Sequence, residues 1–448
     1  MRSRLSRRSV LKHAGVTSVA LTLAACGATS TPAPQAPEAT ATPAAAAEAT
    51  ATTAPAAASG KGQVSLMYYT STTPAIARME KQEAGFKEKY PDIELTIMQE
   101  PSSPAEKLKV MYPAGTEPNV IWSGTSANSF AAQGVFAPLD DLIKADGSFD
   151  LNTYYEPVVD GFVYEGKLYT LPYGFTTSVW FYNKALFDAK GVAHPTDDWT
   201  LEDFHSAAIA LTEGDEFGVG DLWVYIGNFM AGGRMWDETF TKCVLNTPET
   251  VAALTWNRDL RVIDQATPPA DVLQEQGAIA MFQNQKAGMI TLGRWGLPVA
   301  IAIKDFDWDI VAFPTPEQGK RGTWSSFEGF SVTSRTKDMD SAWKLVKYLC
   351  DEDAQRNFYV KEGSAIPAIK AVAESDDFSS SAPGKNHAAY LKSIDFAVPV
   401  GKHPADGRLG SEPWESWQNV LDGKMEVEEF AREAEEKMNT IVAEVAAL

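Results

Sequence analysis

Residues 61 to 122 switch repeatedly between two hydrophobic periods, and that switching limits the fold more than any other feature of the chain. KGQVSLMYY (61–69) reads as a strand. PAIARMEKQEAGFKEKYP has apolar residues at helical spacing, and Pro91 ends it because proline lacks the N–H that continues a helix. In DIELTIMQE, Ile93, Leu95 and Ile97 alternate with polar partners, the pattern of a half-buried strand. A second helix through EKLKVMYPAG leads to the short apolar strand PNVIW (118–122). Strand, helix, strand, helix, strand in so short a stretch predicts a parallel sheet with right-handed crossovers, hence an α/β fold. Open sheets of this kind gather ligands beyond the carboxyl ends of their strands. Here those ends are Tyr68-Tyr69-Thr70-Ser71, Gln99-Glu100 and Trp122-Ser123-Gly124.

Further along, EGKLYTLPYGFTTSVWFYNKALFDAKGV predicts a hairpin, a crossing strand and a helix. A second α/β set follows, with helices near 200–212, 248–263 and 274–285 and then strands at AGMITLG and DWDIVAFP. EGFSVTS reads as a strand and 340–360 as an amphipathic helix. In the last helix Val427, Phe430, Ala431, Ala434, Met438, Ile441, Val442 and Val445 form one apolar stripe, which reads as core.

The amino terminus is built differently. MRSRLSRRSVLKHAG carries Arg2, Arg4, Arg7, Arg8 and Lys12 with no acid, and an apolar run from Ala14 to Ala25 follows. That run is too short to span a bilayer and reads as an export signal, residues 1–25. Ser6-Arg7-Arg8-Ser9-Val10-Leu11-Lys12 resembles the twin-arginine pattern, with Val10 where Phe is usual. Leu23-Ala24-Ala25-Cys26 looks like a bacterial lipobox, which implies cleavage before Cys26 and a diacylglycerol anchor on its sulfur. A plain secretory signal is the alternative. Residues 26–62 then hold almost only Ala, Thr and Pro, with no aromatic residue to offset the entropy of ordering them. As a disordered tether of about 36 residues they reach on the order of 35 Å. The expected location is extracytoplasmic, anchored to the cell membrane through Cys26.

Acids outnumber basic residues, 59 to 39, and the five basic residues ahead of Cys26 leave with the signal. So acidic a chain repels nucleic acid and anionic lipid. No later apolar run approaches membrane-spanning length. Of the remaining cysteines, Cys350 lies at helical spacing from Trp343 and Val346 and faces a core; a bridge to Cys243 stays open, with two free thiols favoured. No cysteine or histidine spacing suggests zinc, and no metal or cofactor is expected.

The order of elements, together with FKEKYPDIELTIM, EPNVIW, FAPLDDLI, YEGKLYTLPYGFTTSVWFYNKALF, NTPET, AMFQNQKAGMITLGRW, SAWKLVKYLCDEDAQRNFY and DGKMEVEEFAREAEEKMNTIV, resembles the family 1 extracellular solute-binding proteins of bacterial ABC importers. The maltose-binding type is the nearest branch. Gln285 stands where glycine is common in that family. The resemblance implies a two-lobe, type II periplasmic-binding-protein-like fold with hinge crossings near Leu171–Gly174, Ser325–Gly329 and Ile366–Ile369. Lobe one would comprise 63–172 with 327–366, and lobe two 173–326 with 368–448. It also implies a sugar or oligosaccharide ligand in the interlobe cleft, membrane permease subunits as partners and a monomeric chain.

A neutral sugar has apolar C–H faces and hydroxyl rims, so its site needs aromatic rings for the one and charged or amide groups for the other. Trp122 ends a strand, where it either caps the sheet or faces a ligand. Trp295 follows an apolar strand in LGRWGLP, where family members commonly place a sugar-stacking tryptophan. Arg294 beside it could reach the ligand or form a surface ion pair. Trp223 and Tyr225 precede the small-residue run MAGGRMWDE, and Trp236-Asp237 follow its glycines. Of Trp414 and Trp417 in SEPWESWQNVL one must be core, and Trp414 is the ligand candidate. Glu100 at a strand end and Glu328 at a proposed crossing are the polar candidates, with Tyr69, Ser71, Ser123 and Tyr173 bordering the same cleft. Asp305, Asp307 and Asp309 have calcium-loop alternation, but Ile310 stands where glycine is required, and a strand explains them better.

A secreted glycoside hydrolase also needs aromatics and paired acids. HExxH, GxSxG, GxGxxG and P-loop motifs are absent, and His194, His205, His387 and His403 have no metal spacing or nucleophile partner. The expectation is therefore a binding protein rather than an enzyme, with a non-sugar solute or a surface interaction protein as further alternatives.

Overall fold

Two sheets organise the computed structural model, which describes residues 62–409 and 414–446. The export signal, Cys26 and nearly all of the tether lie outside the described residues. Strand β1 (Gly62–Tyr69) pairs in parallel with β2 (Ile93–Glu100), from Gly62 opposite Ile93 to Tyr69 opposite Glu100. It pairs on its other side with β3 (Val120–Ser123), also in parallel. The first crossover is helix Thr73–Lys89, capped by the Thr72 hydroxyl, which accepts from the Ala75 N–H at 3.3 Å. Lys87 and Lys89 in its last turn complement the helix dipole, while Ala75, Met79 and Phe86 face the sheet. The second crossover is helix Pro104–Ala114, capped by Ser103. The expected parallel unit is thus present.

Antiparallel strands extend it. The hairpin β4 (Val163–Tyr164) and β5 (Lys167–Leu168) precedes β6 (Thr170–Thr177), which is buried along its whole length. Next come β7 (Val179–Asn183), β8 (Phe217–Val219), β9 (Ala287–Leu292), β10 (Trp308–Val311), β11 (Thr323–Val332), β12 (Ile366–Pro367) and β13 (Ala397–Val400). The first sheet runs β12-β6-β11-β3-β1-β2, with β13 on the flank of β11. The second runs β10-β7-β9-β8. Only Ser178 separates β6 from β7, so the chain changes sheets across one residue. The segment 171–174, expected to cross, lies inside β6 and within the first sheet.

The first sheet buries Tyr68, Phe86, Phe330, Leu345 and Tyr359 on one face. The second buries Trp180, Phe187, Phe204, Leu211 and Phe313. Helix Val427–Ala446 covers a further core with the expected stripe: Val427, Phe430, Ala431, Ala434, Met438 and Ile441 are buried, and Val442 and Val445 pack partly against it. No helix among the described residues is long and apolar enough to cross a membrane.

Two helices differ from expectation. The one near 274–285 is split into Ala270–Gln276 and Ala278–Gln283 by Gly277, whose φ of 76° no L-residue adopts without strain. The one over 340–360 stops at Cys350 because Asp351 is extended; its carboxylate accepts from the Ala354 N–H at 2.8 Å and starts a new turn. A π-helical segment, Gln355–Val360, follows. Cys243 and Cys350 are both free and buried, in separate cores.

Candidate ligand-binding cleft

Strand β11 alternates buried and half-buried residues from Thr323 to Glu328, and its half-buried side carries Trp324, Ser326 and Glu328. Around that side lie three cavities. The largest, about 720 Å³, sits on the end of β9 (Ile290 to Gly293) against helix Ala278–Gln283. Trp223, Tyr225, Trp295 and Trp324 supply its rings. A second, about 640 Å³, lies across the partition made by Trp223, Tyr225 and Trp324, and is completed by Trp414, Trp417, Gln418, Arg261 and Asp406. A third, about 240 Å³, occupies the carboxyl ends of β1 and β3, lined by Tyr69, Trp122, Ser123 and Ser326. Thr125 borders the second and the third.

Trp223 precedes helix Val224–Met230 and is 57% exposed; Trp295 is 47% exposed. The Trp223 indole donates to Asp221 Oδ2 at 2.7 Å and meets the Tyr225 ring edge-on at 5.6 Å. Asp221 Oδ1 accepts from Arg261 at 2.6 Å, and the same guanidinium nitrogen donates to the Leu222 carbonyl. Both ions are therefore committed to each other. Trp295 folds back over Gly293, where a Cβ would come within 2.6 Å of its Nε1. Trp414 is shared between site and core: its ring lies 6.2 Å from Tyr225 and 6.1 Å from Phe430.

In the third cavity Trp122 stacks on Tyr69, centroids 4.9 Å apart and planes inclined at 30°. Tyr173 is 3% exposed and lies behind Trp122, hydrogen-bonded to it and to Glu328. Burial pushes the Glu328 carboxyl upward, against the hydroxyl of Tyr173 and the charge of Arg78. Tyr173 and Glu328 support the cavity wall from behind. Ser123 lines the cavity, and its hydroxyl donates to Ser331 Oγ at 2.8 Å.

Five candidates fall elsewhere. Ser71 is exposed and lines none of the three cavities. Glu100 Oε1 accepts from the Ser102 hydroxyl and the Ser102 and Ser103 N–H groups, which hold its carboxyl below the usual range and brace the turn before helix Pro104–Ala114. Trp236 is buried, stacked on His403 at 4.6 Å, because the glycines before it let the chain turn inward. Asp237 accepts from the Thr241 N–H and from the Thr239 and Thr241 hydroxyls, closing a local turn. Arg294 is fully buried and directs its guanidinium to Phe378 and His387, and it does not line the cavity that Trp295 borders.

Trp324, Asp221, Thr125, Gln283 and Thr291 line the cavities without having been singled out from the sequence. For Trp324 a signal existed: counting back from Glu328 by twos along the strand reaches Ser326 and Trp324. The histidines have structural partners, His194 with Asp188, His205 with Asp264 and His387 with Arg294, while His403 stacks on Trp236. Asp307 pairs with Lys184 and Lys385, and Asp309 accepts from the Asn386 N–H on strand β10. Among the described residues no group of three or more His, Cys, Asp or Glu could hold a metal ion.

A family model described as bacterial extracellular solute-binding protein matches residues 82–385. The galactooligosaccharide-binding protein of Bacillus subtilis is 24% identical over 366 residues, 78% of this chain and 83% of that one. Among solved structures, an ABC substrate-binding protein of Listeria monocytogenes in complex with cycloalternan superposes with a TM-score of 0.77 at 23% identity, covering 85% of this chain and 98% of that one. A Mycobacterium tuberculosis protein in complex with glycerophosphocholine gives 0.72 at 19% identity, covering 86% and 99%. The architecture is the two-lobe, type II periplasmic-binding-protein fold.

Proposed function

The chain belongs to the bacterial extracellular solute-binding proteins, and we propose that its cleft captures a neutral sugar or oligosaccharide for an ABC importer. The observation that carries this reading is the pair of exposed indoles, Trp223 and Trp295, facing one 720 Å³ cavity. Large exposed rings lining one cavity suit flat apolar faces, and sugars offer such faces with hydroxyls at their edges. Gln276, Gln283 and Thr291 in the first cavity and Gln418 in the second are the matching polar groups.

The charged lining groups favour an uncharged solute. Arg261, the one cation among the described residues that line the three cavities, is paired with Asp221. Asp406 accepts from the Gly401 and His403 N–H groups. Among the described residues a phosphate ester would find no free cation there. The galactooligosaccharide and cycloalternan partners of the two relatives support the same class.

The chain binds without converting its ligand, closes by hinge bending between one lobe built on the first sheet and one built on the second, with a crossing at Ser178 rather than at 172, and delivers to permease subunits on another chain. It acts outside the cytoplasm, moored by a lipid on Cys26. Calorimetry with malto- and galacto-oligosaccharides and with glycerophosphocholine tests the reading. Sugar binding without product supports it; turnover, or binding confined to the phosphodiester, overturns it. Mass spectrometry of the membrane-bound form tests the diacylglyceryl Cys26.

A further inference from the structure

Arg294 is fully buried, and among the described residues no carboxylate lies within ion-pair distance of it. Its guanidinium donates to the Phe378 carbonyl at 2.7 Å, to Ser381 Oγ at 3.3 Å and to His387 Nδ1 at 3.0 Å. It also lies 3.8 Å over the Phe378 ring. A guanidinium can only donate, so His387 Nδ1 must accept and carries no proton. The other ring nitrogen, Nε2, lies 2.8 Å from the Ala382 carbonyl, which can only accept, so Nε2 carries the proton. The contacts leave one tautomer of one protonation state: neutral imidazole. A second proton would have to enter at Nδ1, where it would break the bond to Arg294 and set two cations together in a buried space.

Arg294 is also the residue before Trp295, in the short turn Arg294–Gly296. The Arg294 N–H donates to Thr176 Oγ1 at 2.7 Å, and the Gly296 N–H returns to the Gly293 carbonyl. The turn therefore has two fixings, one to β6 through its backbone and one to segment 378–387 through its side chain. The Trp295 indole lies over Gly293 and makes no side-chain hydrogen bond or ring contact among the described residues.

We propose that Arg294 and His387 are positioning residues for Trp295, and that they hold its indole at the cavity wall only while the His387 imidazole is neutral, so that ligand affinity is lost in acid. This rests on the cleft being the sugar site. The charged groups that act on His387 are Arg294 from the turn and Asp309 from β10, and the Tyr390 ring of helix Ala388–Lys392 lies under the Arg294 guanidinium. The Phe378 ring meets it edge-on from helix Asp376–Ser379, and neighbouring Lys385 is held by Asp307 and the Trp308 carbonyl. Burial and Arg294 lower the imidazole's affinity for a proton, against the smaller pull of Ala382 and Asp309. A lowered value keeps the arrangement intact at neutral pH and undoes it as pH falls below the ordinary imidazole range.

The test labels the full-length chain, in detergent, with 5-fluorotryptophan. The resonance missing from Trp295→Phe belongs to Trp295. It is expected to move as pH falls from about 7.5 to about 4.5, with affinity for maltotriose or a galacto-oligosaccharide dropping at least about tenfold over the same range. His387→Asn supplies a carboxamide oxygen where Nδ1 accepted and does not titrate, so both readouts are expected to stay flat. A wild-type Trp295 resonance that does not move, or an Asn variant that titrates as the wild type does, overturns the proposal. If neither sugar binds, the reading of the cleft fails and the fluorine resonance alone decides this inference. If the Asn variant does not fold, the wild-type resonance decides.

Discussion

The indole N–H of Trp122 points at the hydroxyl of Tyr173, 3.0 Å away, and that hydroxyl donates in turn to Glu328 at 2.5 Å. Tryptophan can only donate, so the Tyr173 hydroxyl accepts in the first bond and keeps its own proton for Glu328. Tyr173→Phe keeps the ring that stacks on Tyr359 at 3.9 Å but leaves an indole donor and a carboxylate without this partner. The expected loss is about 1–3 kcal/mol of stability, read from the urea midpoint with an unchanged slope. An unchanged midpoint would show that Trp122 and Glu328 do not depend on the hydroxyl.

Trp295→Ala and Trp223→Ala should separate binding from folding. Both indoles are about half exposed, so their removal should leave the unfolding midpoint nearly in place. Affinity for the cognate sugar should fall by roughly tenfold or more, about 1.4 kcal/mol each, in isothermal calorimetry. Trp414→Ala should cost both affinity and stability, since that ring also packs on Phe430.

Asp221→Asn should change what the cleft tolerates. Asp221 neutralises Arg261 at 2.6 Å, and the amide would leave the guanidinium uncompensated at the edge of the second cavity. A measurable gain in glucuronate binding is expected, alongside weaker binding of neutral sugars. No gain would mean that the guanidinium stays bound to the Leu222 carbonyl and out of reach.

Asp146 gives a pH-dependent stability test away from the cleft. Burial opposes its charge, but Lys347 at 2.8 Å, Ser148 and the Trp343 indole outweigh it and hold the carboxyl well below the usual range. A depressed acid contributes stability above its unfolded value of 3.8, and that contribution fades as pH falls toward its folded value. Asp146→Asn should therefore cost on the order of 2 kcal/mol at neutral pH. The gap to wild type should narrow in acid unfolding experiments, and a gap independent of pH would refute the assignment.

Periodicity made the parallel β1, β2, β3 unit and the stripe of the last helix readable, because burial on one face selects residues at fixed spacing. It could not show that Asp351 and Gly277 interrupt longer helical patterns: there a backbone conformation, rather than hydrophobic spacing, sets the boundary. Within the cleft, Trp223 and Tyr225 ahead of a small-residue run, Trp295 just past a strand and Trp414 near a helix start all line cavities. Trp236 and Arg294 carry the same local cues but are buried, since their surroundings come from segments 403 and 378–387, far away in sequence. Residue type near a strand end tells what chemistry is on offer; only the packing of distant segments tells which way it faces.

Ser178, the lone link between β6 and β7, is also a wall of the largest cavity. At this link a tilt of one sheet against the other would have only a peptide unit or two to absorb it, whereas the β10–β11 link, residues 312–322, offers a longer path. A guest resting there would touch the axle itself, so occupancy and tilt would be sensed at the same atoms, with no relay of intervening side chains between them.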